Sequence, residues 1–228
     1  MTGRLLNDDQ TTHALSILFD LIPERHLEAV KARFIETVRR MRNRIGTGFI
    51  GTPALLPALV KIGARGLAAK VLQQEDIPGW LFQVKMGATT VWERWDALGA
   101  EGQINDPIMN SYNHYAYGAV CQWLFEAAAG FRPDAKEPGF RHIVFEPIIL
   151  DGLSPVKAHH DTSLGRISAA WTQVDDRVTY RVTVPQGARA TLILQAEYRH
   201  PTLDGAPLAE GQSHWQLTAG DHVVTFDC

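Results

Sequence analysis

Leu27, Val30, Phe34, Val38 and Met41 recur at three- and four-residue steps, which places them on one face of a helix over residues 26–41. Pro23 and Glu24 suit the start of that helix and Gly46 suits its stop. A shorter apolar pattern predicts a helix over 12–21. Thr52-Pro53 reads as an N-cap followed by proline in the first turn, opening a helix to about Ile62. Further helices are expected over 66–74 and over 111–129, the last ended by Gly130 and then Pro133. That makes about five helices joined by short links, resembling stacked helical hairpins.

The period then changes from helical to two. Val178, Tyr180, Val182 and Val184 alternate with Arg177, Thr179, Arg181 and Thr183, the pattern of a half-buried strand. Ile167, Ala169 and Trp171 repeat it. Strands are also expected over 141–146, 156–160, 190–194, 214–217 and 222–226. Asp151-Gly152, Gln186-Gly187, Asp204-Gly205 and Gly220-Asp221 are turn signals between them. Seven or so short strands at this spacing predict a β-sandwich. The expected domains are a helical one over 1–137 and a sheet one over 138–228, parted near Glu137-Pro138-Gly139.

Composition adds little to this picture. The 228 residues are 45% hydrophobic and 21% charged, ordinary for a globular chain able to bury a substantial core. A net charge of −3 gives no electrostatic case for nucleic acid or an acidic membrane. Arg39, Arg40, Arg42 and Arg44 are read as cations at a helix C-terminus. Cys121 and Cys228 predict neither a disulfide nor a zinc site. No signal peptide is expected from the N-terminal residues, and no apolar run approaches the ~20 residues of a membrane span.

The candidate chemistry lies in Gly87-Ala88-Thr89-Thr90-Val91-Trp92-Glu93-Arg94-Trp95 and in Asn113-His114-Tyr115. Indole rings stack on the C–H face of a sugar, and a carboxylate beside them can serve acid–base chemistry at its anomeric carbon. An inverting glycosidase needs two carboxyl groups roughly 6.5–9.5 Å apart, an acid for the leaving oxygen and a base for the attacking water. Glu93 suits either role, and the same residue also fits an aromatic-rich surface loop. His114 suits a sugar hydroxyl or an aromatic core. Trp80 suits a stacking platform or a loop anchor. Asp96 and Glu101 are candidates for a second carboxylate, although both are close to Glu93 in sequence. Asp106 is expected to shape a turn. His159 and His160 would point to opposite faces of a strand, which makes them poor partners for one metal. Ser154, His159 and Asp161 lack the context of a nucleophile elbow.

The Gly87–Trp95 run, followed by Ser111-Tyr112-Asn113-His114-Tyr115-Ala116-Tyr117-Gly118, closely resembles the bacterial α-L-rhamnosidases of glycoside hydrolase family 78. Leu21-Ile22-Pro23-Glu24, Thr47-Gly48-Phe49-Ile50-Gly51-Thr52-Pro53 and Gly139-Phe140-Arg141-His142-Ile143 are similar to the same family in the same order, as are Gly165-Arg166-Ile167 and Val182-Thr183-Val184-Pro185. The resemblance implies about half of an (α/α)6 toroid, the six-hairpin glycosidase barrel, followed by an antiparallel β-sandwich. It implies inverting hydrolysis of terminal α-L-rhamnosides with Glu93 as the general base. His114, Trp92 and Trp95 would contact the sugar, with no cofactor and no metal. The family's upstream stretch carrying the general acid has no counterpart here. The chain alone is therefore expected to be weakly active or inactive, with exposed helix faces that self-associate or pair with the missing half. The alternatives are a non-catalytic carbohydrate-binding or interaction protein and a related inverting glycosidase for another sugar. No nucleic-acid or membrane partner is expected, and the location is left open, a cytoplasmic one being compatible.

Overall fold

A computed structural model describes residues 3–106, 108–209 and 211–228. The chain forms two compact units, one ending at Cys121 and one spanning Gln122–Cys228.

The first unit is helical. Helix α1 (Gln10–Leu18) starts where the Asp9 carboxylate accepts the Thr12 N–H at 2.7 Å. Helix α2 (Glu24–Arg40) buries Val30, Phe34, Thr37 and Val38 and ends on Arg39 and Arg40, cations that suit the negative pole of the helix. Helix α3 (Thr52–Lys61) buries Ala54, Leu55, Leu56, Ala58 and Leu59, so it is apolar almost all round. Its N-cap is Gly51, not Thr52. The Thr52 hydroxyl instead bonds the Thr47 hydroxyl at 2.7 Å and donates to Gly48 O at 2.8 Å. Helix α4 (Arg65–Leu72) follows, then α5 (Trp80–Lys85), a short helix that the sequence pattern does not announce.

The long helix expected over 111–129 is replaced by a composite. Residues 111–115 are irregular, Ala116–Ala119 is a 3-10 turn, Val120–Trp123 is helix α6, and Leu124–Ala128 is wound as a π-helix. The cause at the start is visible in the hydrogen bonds. Glu93 N–H donates to Ser111 O and His114 N–H donates to Val91 O, each at 2.8 Å. Backbone groups committed to a neighbouring loop are not available for a helical turn.

The second unit is built from β1 (Phe131–Pro133), β2 (His142–Phe145), β3 (Val156–Thr162), β4 (Gly165–Val174), β5 (Arg177–Val184), β6 (Arg189–Ile193), β7 (Arg199–Leu203), β8 (Ala206–Pro207), β9 (His214–Leu217) and β10 (Gly220–Asp227). They form a four-stranded sheet, β1-β2-β6-β9, and a six-stranded sheet, β3-β4-β5-β10-β7-β8. Every pairing is antiparallel except β2 with β6. The alternation read in the sequence is realised. Val178, Tyr180, Val182 and Val184 of β5 are buried with Ile167, Ala169 and Trp171 of β4, Ile143 and Phe145 of β2, and Phe226 of β10.

Polar atoms in this core are partnered. Trp171 Nε1 donates to Ala128 O at 2.6 Å, and the Tyr180 hydroxyl lies 3.0 Å from Ala129 O and 3.1 Å from Gly130 O. Gly130 has φ +77°, and a Cβ there would also run into Pro147, so both conformation and space require glycine. Strand β7, which is not among the expected strands, contains Pro201. The register of β10 against β7 slips between Thr225 and Asp227, opposite His200 and Pro201, which lets a residue without an N–H sit in the sheet. The described residues contain no helix long and apolar enough to cross a membrane.

Candidate active site

Two loops of the helical unit hold the predicted residues. The first runs from α5 through Glu93 to Trp95, and the second carries residues 111–115 into the 3-10 turn. The two backbone bonds described above clamp them side by side. A side-chain bond completes the clamp: the Ser111 N–H donates to Glu93 Oε2 at 2.8 Å. The Thr90 hydroxyl also donates to Tyr112 O. Glu93 is therefore held through both its backbone N–H and its carboxylate, yet it stays partly exposed. A carboxylate fixed through one oxygen presents the other in a defined direction, as a base needs.

His114 is oriented by a hydrogen bond and by the rings of Phe49 and Tyr115, the latter stacked at 5.6 Å and 4°. The Ala116 N–H donates to His114 Nδ1 at 3.3 Å, so in the neutral ring the proton sits on Nε2, which is then a hydrogen-bond donor. The ring lies flat against Phe49, with centroids 4.8 Å apart and planes 12° apart. Phe49 in turn meets Tyr117 at 5.2 Å, and Tyr117 stacks on Trp95 at 3.9 Å and 16°. Trp80 closes the series with its edge on Trp95 at 5.4 Å. The series is pinned by polar atoms at both indoles. Trp95 Nε1 donates to Thr47 O at 3.1 Å, and Trp80 Nε1 donates to Tyr117 O at 3.0 Å.

The tryptophans thus differ in setting. Trp92 is 4% exposed, packs with Phe82 and Ala97, and takes Gln83 Oε1 on its backbone N–H at 3.2 Å. Trp95 is partly buried, with one face on Tyr117. Trp80 is 8% exposed and bonded through its indole N–H, which makes it an anchor for the 3-10 turn. Sequence reasoning assigned no role to Phe49, Tyr117 or the Ser111 N–H. Phe49 had one usable signal, a bulky ring in the glycine-flanked Thr47-Gly48-Phe49-Ile50-Gly51 turn.

The other carboxylates of these loops are committed elsewhere. Arg94 donates to both Asp96 oxygens, at 3.1 and 3.3 Å, and to Asp106 at 2.9 Å. Asp106 also accepts the Ile108 N–H at 2.9 Å, the turn expected of it. The backbone N–H of Ile108 first, then that of Met109 and the nearby Arg94, hold its carboxyl below the usual range. Glu101 is exposed. Burial raises the Tyr117 phenol above its ordinary value; the negative charges of Asp96 and Glu93 add to this and Arg94 opposes it. Among the described residues no group of His, Cys, Asp and Glu is arranged to hold a metal. His159 and His160 lie exposed on β3, and His160 contacts Phe140 at 5.0 Å.

A family model, the bacterial alpha-L-rhamnosidase 6 hairpin glycosidase domain, matches residues 1–128, and the bacterial alpha-L-rhamnosidase C-terminal domain matches residues 130–203. An alpha-L-rhamnosidase of Alteromonas sp. is 33% identical over 191 residues, covering 84% of this chain and 20% of that protein. One of Streptomyces avermitilis is 31% identical over 227 residues, covering 98% of this chain and 22% of that protein. Among solved structures, the Streptomyces avermitilis enzyme complexed with L-rhamnose superimposes with a TM-score of 0.87 at 28% identity, over 98% of this chain and 22% of the other. The Aspergillus terreus enzyme gives 0.87 at 32% identity, over 100% of this chain and 25% of the other. The chain spans about a fifth of the length of the curated relatives it matches.

Proposed function

The chain belongs to the bacterial α-L-rhamnosidase family, and from that premise we propose that it is a portion of a glycoside hydrolase that cleaves terminal α-L-rhamnosides with inversion. Glu93 is the base that draws a proton from the attacking water. His114, donating through Nε2, holds a hydroxyl of the sugar. Trp95 offers its ring from the stacked series, and Trp92 supports the loop from beneath. The observation that carries this reading is the fixed, partly exposed Glu93 carboxylate on the Ser111 N–H.

The proton donor is supplied from outside these residues. A general acid must be protonated when the glycosidic oxygen leaves. Asp106 is held ionised, and Asp96 is bound to Arg94 through both oxygens. A positioned acid or base typically contributes ~10²–10⁴-fold, so its absence leaves little turnover. Exposed apolar side chains on the helical unit support a covering partner or self-association: Phe19 is 64%, Leu21 67% and Ile50 76% exposed. The partner proposed is the remainder of a rhamnosidase barrel. The lack of a local acid equally favours a second reading, a protein that binds a rhamnose-containing carbohydrate without hydrolysing it.

The test is release of a chromogenic aglycone from an aryl α-L-rhamnoside. The pure chain is expected to be near the background rate, and addition of the remaining barrel should restore turnover that Glu93→Gln removes. Turnover by the pure chain that vanishes in Glu93→Gln would overturn the external-acid argument. Turnover of the completed enzyme that survives Glu93→Gln would overturn the role of Glu93. L-rhamnose binding that weakens in His114→Ala, with no hydrolysis even after completion, would favour the second reading.

A further inference from the structure

The sheet unit contains a hollow of about 380 Å³ that the proposed chemistry does not use. It opens where β9, the outer strand of the four-stranded sheet, and β7, next to the outer strand of the six-stranded sheet, both contribute side chains. The segment between β6 and β7 borders it through Gln195 and Tyr198, and the segment before β9 through Gln212 and Ser213.

Two aromatic side chains give the hollow an apolar wall. Along β9, His214 and Gln216 are exposed, whereas Trp215 and Leu217 turn inward. Leu217 is fully packed, but Trp215 is only partly buried: it packs against the core and also lines the hollow. Tyr198 is fixed. Its ring stacks on Phe226 at 4.4 Å and 16°, its hydroxyl accepts the Ile149 N–H at 3.1 Å, and Pro147 O lies 3.3 Å away.

The polar lining is also held in place. Gln212 Nε2 donates to His214 O at 2.6 Å, and the Ser213 hydroxyl meets His214 Nδ1 at 2.7 Å. Arg199 Nη2 donates to Cys228 O at 3.1 Å, and His200 is oriented by Asp227 at 2.8 Å. Planar amide and guanidinium groups fixed beside an indole can bond ring hydroxyls while the indole takes the C–H face of the ring. The described polar lining is made of amide, hydroxyl, imidazole and guanidinium groups, which suits the hydroxyls of a neutral ring.

We propose that this hollow is a second carbohydrate-binding site, one that takes a neutral monosaccharide unit and is separate in sequence from the Glu93 loops. It rests on the rhamnosidase reading only for the choice of sugar.

The test is titration of the intact chain with methyl α-L-rhamnoside, followed by the indole N–H resonance of Trp215. The double variant Glu93→Gln, His114→Ala should still bind, and the Trp215 resonance should move on saturation. Gln212→Ala and Arg199→Ala, both at exposed positions, should each weaken this binding by about three- to tenfold, the loss of one or two hydrogen bonds. Trp215→Phe keeps an aromatic wall and guards against a packing failure; it should weaken binding less than Trp215→Ala. A Trp215 resonance that stays put at saturating glycoside overturns the proposal, as does undiminished affinity in Gln212→Ala and Arg199→Ala. Failure of the Glu93 reading is distinguishable, because parent and double variant would then bind identically while the hollow variants still lose affinity.

Discussion

Replacing Phe49 by leucine tests whether the ring series holds His114 in place. Phe49 is 43% exposed, so about half of it faces protein, and its principal partners are His114 and Tyr117. Leucine keeps most of the apolar contact but removes the parallel stack, which is worth ~0.5–1.5 kcal/mol beyond area burial. That loss is too small to unfold a unit whose buried centre lies around Leu55, Leu56 and Leu59. Its effect should appear at His114, left with the 3.3 Å bond from the Ala116 N–H and the more distant Tyr115 ring at 5.6 Å. Ordering one mobile side chain on binding costs about 0.5–1.5 kcal/mol, so L-rhamnose affinity should fall by about 2- to 13-fold. The direct assay is proton NMR of the imidazole. The facing phenyl ring shifts the His114 carbon-bound protons upfield, and Phe49→Leu should return them toward free-imidazole positions. His114 resonances that superimpose on those of the parent chain would refute the reasoning, whatever the affinity does.

Other perturbations probe the two units by stability. In the sheet unit, Tyr180→Phe removes the buried hydroxyl facing Ala129 O and Gly130 O and should cost about 1–2 kcal/mol in urea unfolding at neutral pH. Burial pushes the Tyr180 phenol well above its ordinary value, so the fold favours the neutral form. That contribution is complete below about pH 10, the unfolded value, and is lost as pH rises beyond it. Tyr180→Phe should flatten the alkaline limb of the stability profile, and an unchanged limb would count against the burial argument. In the helical unit, hydrogen bonds from Arg33 first, and then from Arg4, hold the Asp8 carboxyl well below the usual range. This stability is present above about pH 4, the unfolded value, and is lost as pH falls below it. Asp8→Asn should therefore flatten the acid limb of thermal unfolding, and a limb as steep as in the parent chain would refute the assignment.

Regular patterns were legible in the sequence where one interaction dominates. Val30, Phe34 and Val38 lie on the buried face of α2 because a single apolar stripe decides that helix. Val178 to Val184 alternate in β5 because one sheet face is the core. Patterns failed where a distant bond overrides local preference. A helix is expected over 111–129, yet Ser111 O and the His114 N–H are taken by the 91–93 loop, so helical winding begins only with the 3-10 turn at Ala116. Strand β7 is absent from the expected strands; it contains Pro201, and the slipped register opposite it is a property of β10 as much as of β7.

The site divides in the same way. Glu93 and His114 stand out as candidates because residue type advertises their chemistry. Their orientation does not, because it comes from groups with no such advertisement. A backbone N–H at Ser111 fixes the carboxylate, and the phenyl ring of Phe49 fixes the imidazole. Trp92 and Trp95 look equivalent in the motif and part ways only in three dimensions. One packs against Phe82 and Ala97, and the other covers Tyr117. The same asymmetry separates the carboxylates of this loop. Arg94, adjacent to Glu93 in sequence, draws Asp96 and Asp106 onto itself and leaves Glu93 to the Ser111 N–H. The Ile108 N–H and Arg94 hold the Asp106 carboxyl below the usual range, which makes it a poor source of a proton for a leaving oxygen. If Arg94 instead served only to hold the loop together, neutralising both of its partners should loosen Glu93 from Ser111. If it keeps stray negative charge away from the proposed base, Asp96→Asn should leave that hydrogen bond intact.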